Sequence, residues 1–392
     1  MSGGVKNSKY FYIKRRLKMS EEMKNLNNES VETPVEKKPL DKKTLGIIIG
    51  AAAAVLVLVL VLVLTLGGNG TPSTPVENNY TLGMGAVISV NGQVDGTIAA
   101  VVLDENGVIV HCYVDAIQNK VTLNDDGTFT IGNTKTKREL GFNYNMAAYG
   151  HSLVGNETVK EWFEQADAFE AWCVGKTIAQ VEAMGTQTMD NGYVISSDEA
   201  LLGAGCTISI TDFIEAVKKA GNDDQKVSFK TAGTMTLGLA VNSADSGSTA
   251  ATAEKDGAIQ VYSDFAATAL VDGKVVASLN DAIQPKTTFD ATGAITGATF
   301  KGTKRELKEG YNMAAYGHSL IGNETVVEWY LQSAAFSAHI VGKTSAEIDA
   351  LPVQTMDNGY VISNDQALLG AGCTMSIDAI IDVVVKSITN AH

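Results

Sequence analysis

The sequence predicts an α+β protein: two tandem copies of a small antiparallel sheet followed by helices, preceded by a single transmembrane helix. Three observations of the 392-residue chain lead to this prediction. Strand–turn–strand patterns precede segments whose apolar residues recur at helical spacing. A long stretch of the second half nearly repeats one of the first half, and an uncharged apolar run lies near the N-terminus.

The N-terminal region is predicted to anchor the chain in the cell membrane. Leu45–Leu66 is a run of 22 residues without a charge, and about 20 apolar residues span the hydrocarbon core as a helix. Residues 1–44 carry 11 Lys+Arg and 6 Asp+Glu. Because positively charged flanks stay in the cytoplasm, we expect a disordered basic cytoplasmic tail at 1–44, an uncleaved signal anchor in the lipid bilayer at 45–66, and an extracytoplasmic body.

The remainder of the chain is acidic. Residues 45–392 carry 19 Lys+Arg and 38 Asp+Glu, which argues against nucleic acid as a partner.

The segment at 67–79 contains Gly, Pro and Asn and is expected to be a flexible linker between the anchor and the body.

An internal duplication fills the body. Thr136–Thr207 and Thr303–Thr374 align without gaps and share 51 of 72 residues, including the stretch YNMAAYGHS in both. Weaker similarity continues upstream, so we expect a first copy at 80–222 and a second copy at 226–392. The strand-rich parts of the copies have diverged more than the parts that follow. Either tighter constraint on the later parts or recombination between them explains this difference.

Each copy is predicted to begin with strands and to continue with helices. GTIAAVVLDENGVIVHCYVDA is typical of two strands joined by a turn at Asp104–Gly107. A helix is predicted between Asn156, as its N-cap, and Gly175, which ends it. A closing helix follows, with Phe213 and Val217 on its buried face.

The chain has four cysteines and no C-x-x-C pair, so neither a zinc ribbon nor a redox pair is predicted. In the second copy, Ser278 and Ile340 take the places of Cys112 and Cys173. A disulfide framework in a duplicated unit should itself be duplicated. We therefore expect small buried residues or free thiols.

The first candidate site is LGAGCTIS, Leu202–Ser209, which recurs as LGAGCTMS at Leu369–Ser376. It lies just ahead of the closing helix of each copy. Small residues let a ligand approach the backbone, and a helix N-terminus attracts phosphate. The alternative is a tight strand-to-helix transition in which the threonine is a cap.

A small-residue motif that runs into the helix FIEAVKKA, together with the hairpin VDGKVV, resembles the extracytoplasmic FMN-binding domain family. That family opens with a hairpin around D-G-K-I and closes on S-G-A-T-x-[ST]. The resemblance implies FMN attached as a phosphoester to the motif threonine by a dedicated transferase. It carries over to Thr207 and Thr374, with Gly205, Gly372, Ser209 and Ser376 beside them. Thr136–Met146 also resembles a segment of uncharacterised membrane-anchored surface proteins of Gram-positive anaerobes.

The second candidate site is the stretch YNMAAYGHS. Tyr149 and His151, with Tyr316 and His318 in the second copy, could stack on a flavin or another planar ligand. The alternative is a polar loop between sheet and helix. One histidine per copy is too few for a metal site.

Two short charged segments, Lys137–Glu139 and Lys304–Glu306, could meet a phosphate. A solvated strand edge is the favoured interpretation of both. Such an edge would carry its charged side chains in water, away from the core.

Three functions remain in consideration. The favoured one is a non-catalytic surface module that binds cell wall, matrix or a partner protein, because the sequence shows tandem repeats on a tether and no catalytic constellation. The second is an FMN-carrying electron-transfer protein with a redox partner. The third, a hydrolase, depends only on His151 beside Ser152 and lacks a nucleophile elbow.

Overall fold

The computed structural model describes residues 77–90, 93–124, 129–149, 159–245, 247–316 and 326–392. The chain divides into two units, Met1–Thr74 and Pro75–His392, and only the second contains described residues. The α+β prediction is confirmed: this part holds several antiparallel sheets and ten helices. The predicted tail and anchor lie outside the described residues. No helix in the described ranges is long and apolar enough to cross a membrane.

The first sheet is antiparallel, in the strand order β4-β3-β2-β1-β7. The predicted turn at Asp104–Gly107 joins its second and third strands, and the Asp104 carboxylate accepts the amide of Val108 at 2.8 Å. The last strand of this sheet, β7, lies within 226–392, the predicted range of the second copy, but it pairs with β1 of the first copy. The strands are β1 Asn78–Val90, β2 Gln93–Asp104, β3 Ile109–Leu123, β4 Phe129–Gly132 and β7 Val227–Thr231.

The second sheet is also antiparallel. Its central strand β9 pairs with β8, β10 and β11, and β12 pairs with β11. The register of the first two strands opposes Leu237 to Ala269. The strands are β8 Met235–Asp245, β9 Gly257–Val271, β10 Lys274–Ile283, β11 Lys286–Phe289 and β12 Ile295–Thr299.

The two sheets pack face to face around a shared apolar core. Leu82 and Ile98 of the first sheet belong to the same buried cluster as Leu237 and Phe265 of the second. Because successive side chains of a strand point to opposite faces, each sheet keeps a second apolar face for helices. The described layers are therefore helices, sheet, sheet and helices.

The helices recur in the same order in the two copies, with bounds shifted by about 167 residues. Between them lie two short hairpins, β5 Thr186–Thr188 with β6 Val194–Ser196, and β13 Val353–Thr355 with β14 Val361–Ser363. The helices of the first copy are α1 Lys137–Leu140, α2 Trp162–Cys173, α3 Ile178–Glu182, α4 Glu199–Gly203 and α5 Thr211–Asn222. Those of the second are α6 Lys304–Leu307, α7 Trp329–His339, α8 Ser345–Asp349, α9 Gln366–Gly370 and α10 Asp378–Thr389.

The long helix α2 begins later than the sequence predicts. Its N-cap is Glu161, whose amide donates to the Glu164 carboxylate at 2.8 Å. The predicted cap, Asn156, lies outside the described residues. The predicted end is confirmed: α2 stops at Cys173, and Gly175 follows with a positive φ of 83°.

Each closing helix packs directly on a glycine of the first strand of its sheet. A Cβ built on Gly83 would lie 2.0 Å from the carbonyl oxygen of Ala220 in α5. A Cβ on Gly238 would lie 1.8 Å from that of Ser387 in α10. The two glycines stand in similar stretches, TLGM at 81–84 and TLGL at 236–239. This similarity follows from a close helix–strand approach that a side chain would block.

Candidate functional site

One buried glutamine holds the LGAGCT loop of the first copy. Gln165 in α2 is fully buried, and its side-chain oxygen accepts the amides of Thr207 at 2.8 Å and Ile208 at 3.1 Å. Its side-chain nitrogen donates to the carbonyl of Lys160 at 2.8 Å. Two backbone amides ahead of α5 are therefore already occupied by protein.

The second copy repeats this arrangement. Gln332 in α7 is fully buried and accepts the amides of Thr374 and Met375, each at 2.8 Å. Its nitrogen donates to the carbonyl of Val327 at 2.6 Å. The glutamine is a buried polar residue of the long helix in each copy, and sequence reasoning missed it. The signal was present, since E-W-x-x-Q occurs in both copies.

The glycines of these loops allow the backbone to turn. Gly205 and Gly372 adopt φ values of 87° and 86°, in the left-handed region that favours glycine. Ser376 lies two residues before α10, and its hydroxyl donates to the carboxylate of Asp378 at 3.0 Å. Its counterpart Ser209 lies two residues before α5 and is half-buried.

The fit of a flavin phosphate to these loops depends on free donors. Thr207 and Thr374 are half-buried, but their amides and the next ones donate to glutamine. The loops as folded therefore do not offer these amides to a phosphate. A phosphoester requires only the threonine hydroxyl, so attachment of FMN stays a prediction.

The second candidate stretch is described only in part. The backbone of Tyr149 and Tyr316 ends the single 3₁₀ turns Met146–Tyr149 and Met313–Tyr316. His151 and His318 lie outside the described residues. The stacking of these residues on a ligand, and the hydrolase hypothesis that depends on His151, stay predictions.

A second residue of E-W-x-x-Q fixes the start of this stretch. The Glu161 carboxylate accepts the amide of Met146 at 3.0 Å, and Glu328 accepts that of Met313 at the same distance. Sequence reasoning also missed these glutamates. The first turn of the long helix therefore positions both candidate stretches in each copy.

The charged segments at 137–139 and 304–306 are not solvated strand edges, so that interpretation was wrong. They form α1 and α6, each opened by a threonine whose hydroxyl accepts the amide of the glutamate three residues later, as Thr303 does from Glu306 at 3.2 Å. Lys304 and Arg305 are only 6% and 5% exposed. The buried Asp281 carboxylate accepts the Arg305 amide at 3.0 Å and draws this helix into the protein.

In the second copy the lysine lies among aromatic rings, and we name this set the closed lysine cluster. The Lys304 ammonium lies 4.7 Å from the ring centres of Tyr262 and Tyr311 and 5.1 Å from that of Trp329. It donates to the Tyr262 hydroxyl at 2.7 Å. Burial lowers the pKa of Lys304, whereas it raises the pKa of the neighbouring Asp264 carboxyl.

The first copy carries the same elements in an open form, the open lysine cluster. The half-buried Lys137 ammonium lies 5.1 Å from the ring centre of Tyr144 and 5.5 Å from that of Trp162. Burial raises the pKa of Asp212, at the start of α5, while the nearby Lys137 lowers it. Burial, and then the nearby Asp95, raise the pKa of Tyr144.

One strand position explains why the first cluster is open. Asp115 pairs with Ile98 in the first sheet, and Asp281 pairs with Phe265 in the second. Asp95 lies three residues before Ile98, and Tyr262 lies three residues before Phe265. The tyrosine covers the lysine of the second copy with a ring, whereas the aspartate of the first copy has no ring to do so, and Lys137 is half-buried.

An exposed tyrosine borders the open cluster. Tyr193 is 46% exposed, and its proximity contributes to the raised pKa of Tyr144. Its counterpart Tyr360 is 44% exposed. Each follows a turn whose asparagine side chain accepts the tyrosine amide at 3.1 Å, as Asn191 does for Tyr193.

The open lysine cluster thus combines the half-buried Lys137 ammonium and Tyr144 ring with the buried Trp162 ring beneath them and two carboxylates nearby. Within the described ranges, no group of three His, Cys, Asp or Glu side chains is arranged to hold a metal ion. No protein-family model, curated protein or solved structure matches this chain, so its chemistry has to be inferred from these residues.

Proposed function

We propose that this chain is a single-pass membrane protein with a cytoplasmic N-terminus and a tandem-duplicated extracytoplasmic body that binds an extracellular polymer. The 22-residue apolar run at 45–66 and the lysines before it support the anchor and its direction. The recurrence of the helix order supports the two copies. The bilayer is the partner of the anchor, and the polymer is the partner of the body.

The open lysine cluster is the observation that carries the binding proposal. The half-buried ring of Tyr144 offers an apolar face, Asp95 and Asp212 accept hydrogen bonds, and Lys137 donates them, while the buried ring of Trp162 supports the cluster from the core. A few polar groups placed around aromatic surface are typical of a ligand site. This combination suits a polyhydroxylated chain, such as a wall or matrix glycan.

The two exposed tyrosines provide a matched test. Full-length chain in detergent micelles is sedimented with insoluble wall glycans over a range of concentrations. We expect Tyr193→Ala, at the rim of the open cluster, to weaken binding roughly 5- to 30-fold, the effect of losing an aromatic anchor. Tyr360→Ala changes the corresponding tyrosine of the second copy, which is similarly exposed, and should leave binding unchanged.

Two results would contradict the proposal. Equal losses in the two variants would remove the open cluster from the binding surface. Absence of sedimentation with every glycan offered would reject a polymer-binding function. For the orientation, protease added to intact cells should digest the body and spare the N-terminal tail, and a protected body would refute it.

Covalent FMN at Thr207 and Thr374 is the second candidate, supported by the recurrence of both LGAGCT loops ahead of a helix with half-buried threonines. Expression with and without a flavin transferase, followed by in-gel fluorescence and intact mass, tests it. Unchanged mass in both cases rejects attachment. A mass gain that survives the change of both threonines to alanine places the flavin elsewhere.

A further inference from the structure

We propose that Cys112 and Cys173 close into a disulfide when the body folds outside the cell, which links α2 to the first sheet. All four cysteines are buried free thiols in the structure, as the sequence predicts. The oxidising surroundings that the proposal needs follow from the extracytoplasmic location proposed above. The argument for the pair itself depends only on contacts within the first copy.

Hydrogen bonds bracket the two cysteines from both sides. On one side, Gly175 donates to the carbonyl of Ile109, and Ile109 donates to that of Lys176, each at 2.8 Å. On the other, the amide of Val114 donates to the Glu170 carboxylate at 2.6 Å. The strand and the helix end are therefore fixed together at 109 with 175–176 and at 114 with 170.

The cysteines lie between these two fixed points. Cys112 and Val114 face the helix-side core from alternate positions of β3, and Cys173 lies one turn after Glu170 in α2. Both thiols are buried in that core. A hydrogen bond with Cys173, followed by burial, raises the pKa of the Cys112 thiol well above its usual range. The two fixed points and the shared core therefore place the two cysteine side chains next to each other.

The second copy keeps the same frame without the pair. Gly342 donates to the carbonyl of Val275 at 2.7 Å, and Val275 donates to that of Lys343 at 3.0 Å. At the cysteine positions stand Ser278 and Ile340, both buried. Both members of the pair are thus exchanged, and the proposed disulfide belongs to the first copy alone. The same exchange supplies substitutions that this frame already accommodates.

The oxidation is a thiol–disulfide exchange with a small-molecule disulfide. One cysteine thiolate attacks the small disulfide and releases one small thiol; the second cysteine thiolate then attacks the mixed disulfide and releases the other. The protein loses two hydrogens, and the small disulfide is reduced to two thiols. Because burial disfavours the thiolate, the exchange has to occur before the core closes over the pair.

The first arm of the test uses the full chain from its own membranes. Cells are quenched in acid, the chain is denatured and alkylated without reductant, and peptides are mapped by mass. We expect two reactive thiols, Cys206 and Cys373, and a linked peptide pair that contains Cys112 and Cys173. Cys112→Ser and Cys173→Ile should each leave three reactive thiols, and their folding is followed by circular dichroism.

The second arm separates the pair from the location. The full chain is unfolded, reduced and returned to buffer with reduced and oxidised glutathione. Four reactive thiols after refolding to the native spectrum, or a link between Cys173 and Cys206, would overturn the proposed pair. A Cys112–Cys173 link in this arm, with four free thiols in the chain from membranes, supports the pair and rejects the extracytoplasmic location.

Discussion

A buried ion pair joins the two copies and gives the sharpest prediction on stability. Arg305 in α6 contacts Asp223, just after α5, at 2.9 Å, and their side chains are 6% and 8% exposed. Arg305 also donates to the carbonyl of Gln225 at 3.1 Å, and Asp223 accepts the amide of Met84 at 3.3 Å. Loss of the arginine would leave a carboxylate buried without its cation.

The expected cost follows from that burial. Removal of one partner of a buried ion pair destabilises proteins by about 3–5 kcal/mol, whereas replacement of both partners by apolar residues is often close to neutral. Arg305→Ala should therefore lower the free energy of unfolding by about 4 kcal/mol. The joint change of Arg305→Met and Asp223→Leu should recover part of this loss, because the buried charge is removed but the amide of Met84 loses its acceptor.

Urea denaturation of the full chain in micelles, followed by tryptophan fluorescence, measures these differences. The neighbouring contact between Lys308 and Asp224 joins the same two segments but is exposed, at 37% and 66%. Asp224→Ala is therefore a matched control, and it should leave the midpoint unchanged because water screens exposed pairs. If Arg305→Ala shifts the midpoint no more than Asp224→Ala does, the copies are not held together by this pair.

Three further predictions concern buried groups. Burial raises the pKa of Asp115 and of Asp281 to about 6. Between about pH 4 and pH 6 the folded chain therefore holds protons on these carboxyls that the unfolded chain has released. Their contribution to the free energy of unfolding falls as the pH rises through this window. In urea titrations Asp281→Asn should therefore cost less at pH 7 than at pH 4.5, and an equal cost would contradict the raised pKa. Gly238→Ala should lower the melting temperature by several degrees because its Cβ would meet the Ser387 carbonyl at 1.8 Å. Gly370→Ala, at the last residue of α9, should not, because a Cβ there meets nothing within 4 Å. Gln332→Leu leaves two amides without an acceptor and should cost about 2–4 kcal/mol in the same titration; an unchanged midpoint would show that water replaces the glutamine.

The sequence predicts those features of the fold that depend on neighbouring residues. The turn after Asp104 and the end of α2 before Gly175 were predicted correctly, because an Asx-type turn and a left-handed glycine are local signals. The packing of one sheet on the other was not predicted. Sheet packing brings together residues that are distant in the sequence, such as Leu82 and Leu237. The residues near either position do not indicate which distant strand will face it.

The lysine clusters were missed for a related reason. The charges at Lys304 and Arg305 suggested solvent, although Thr303 and Glu306 three residues apart already formed a capping-box pattern. Burial of the lysine depends on Tyr262, which lies 42 residues earlier in another strand. Sequence reasoning can find the short helix, but it cannot find the aromatic surroundings until the strand register is known.

The contacts also explain why the later parts of the two copies stayed alike. Within the aligned segments, Glu161, Gln165 and their counterparts accept buried amides, and loss of such an acceptor costs about 1–3 kcal/mol per amide. The copies differ at apolar packing positions of the same segments, with Cys173 replaced by Ile340 and Val181 by Ile348, and one further amide acceptor, Glu170, is replaced by Ser337. Recent recombination would copy a contiguous stretch regardless of role. The mixture of changed packing positions and unchanged amide acceptors therefore favours constraint, since apolar positions tolerate exchange at little cost whereas these acceptors do not.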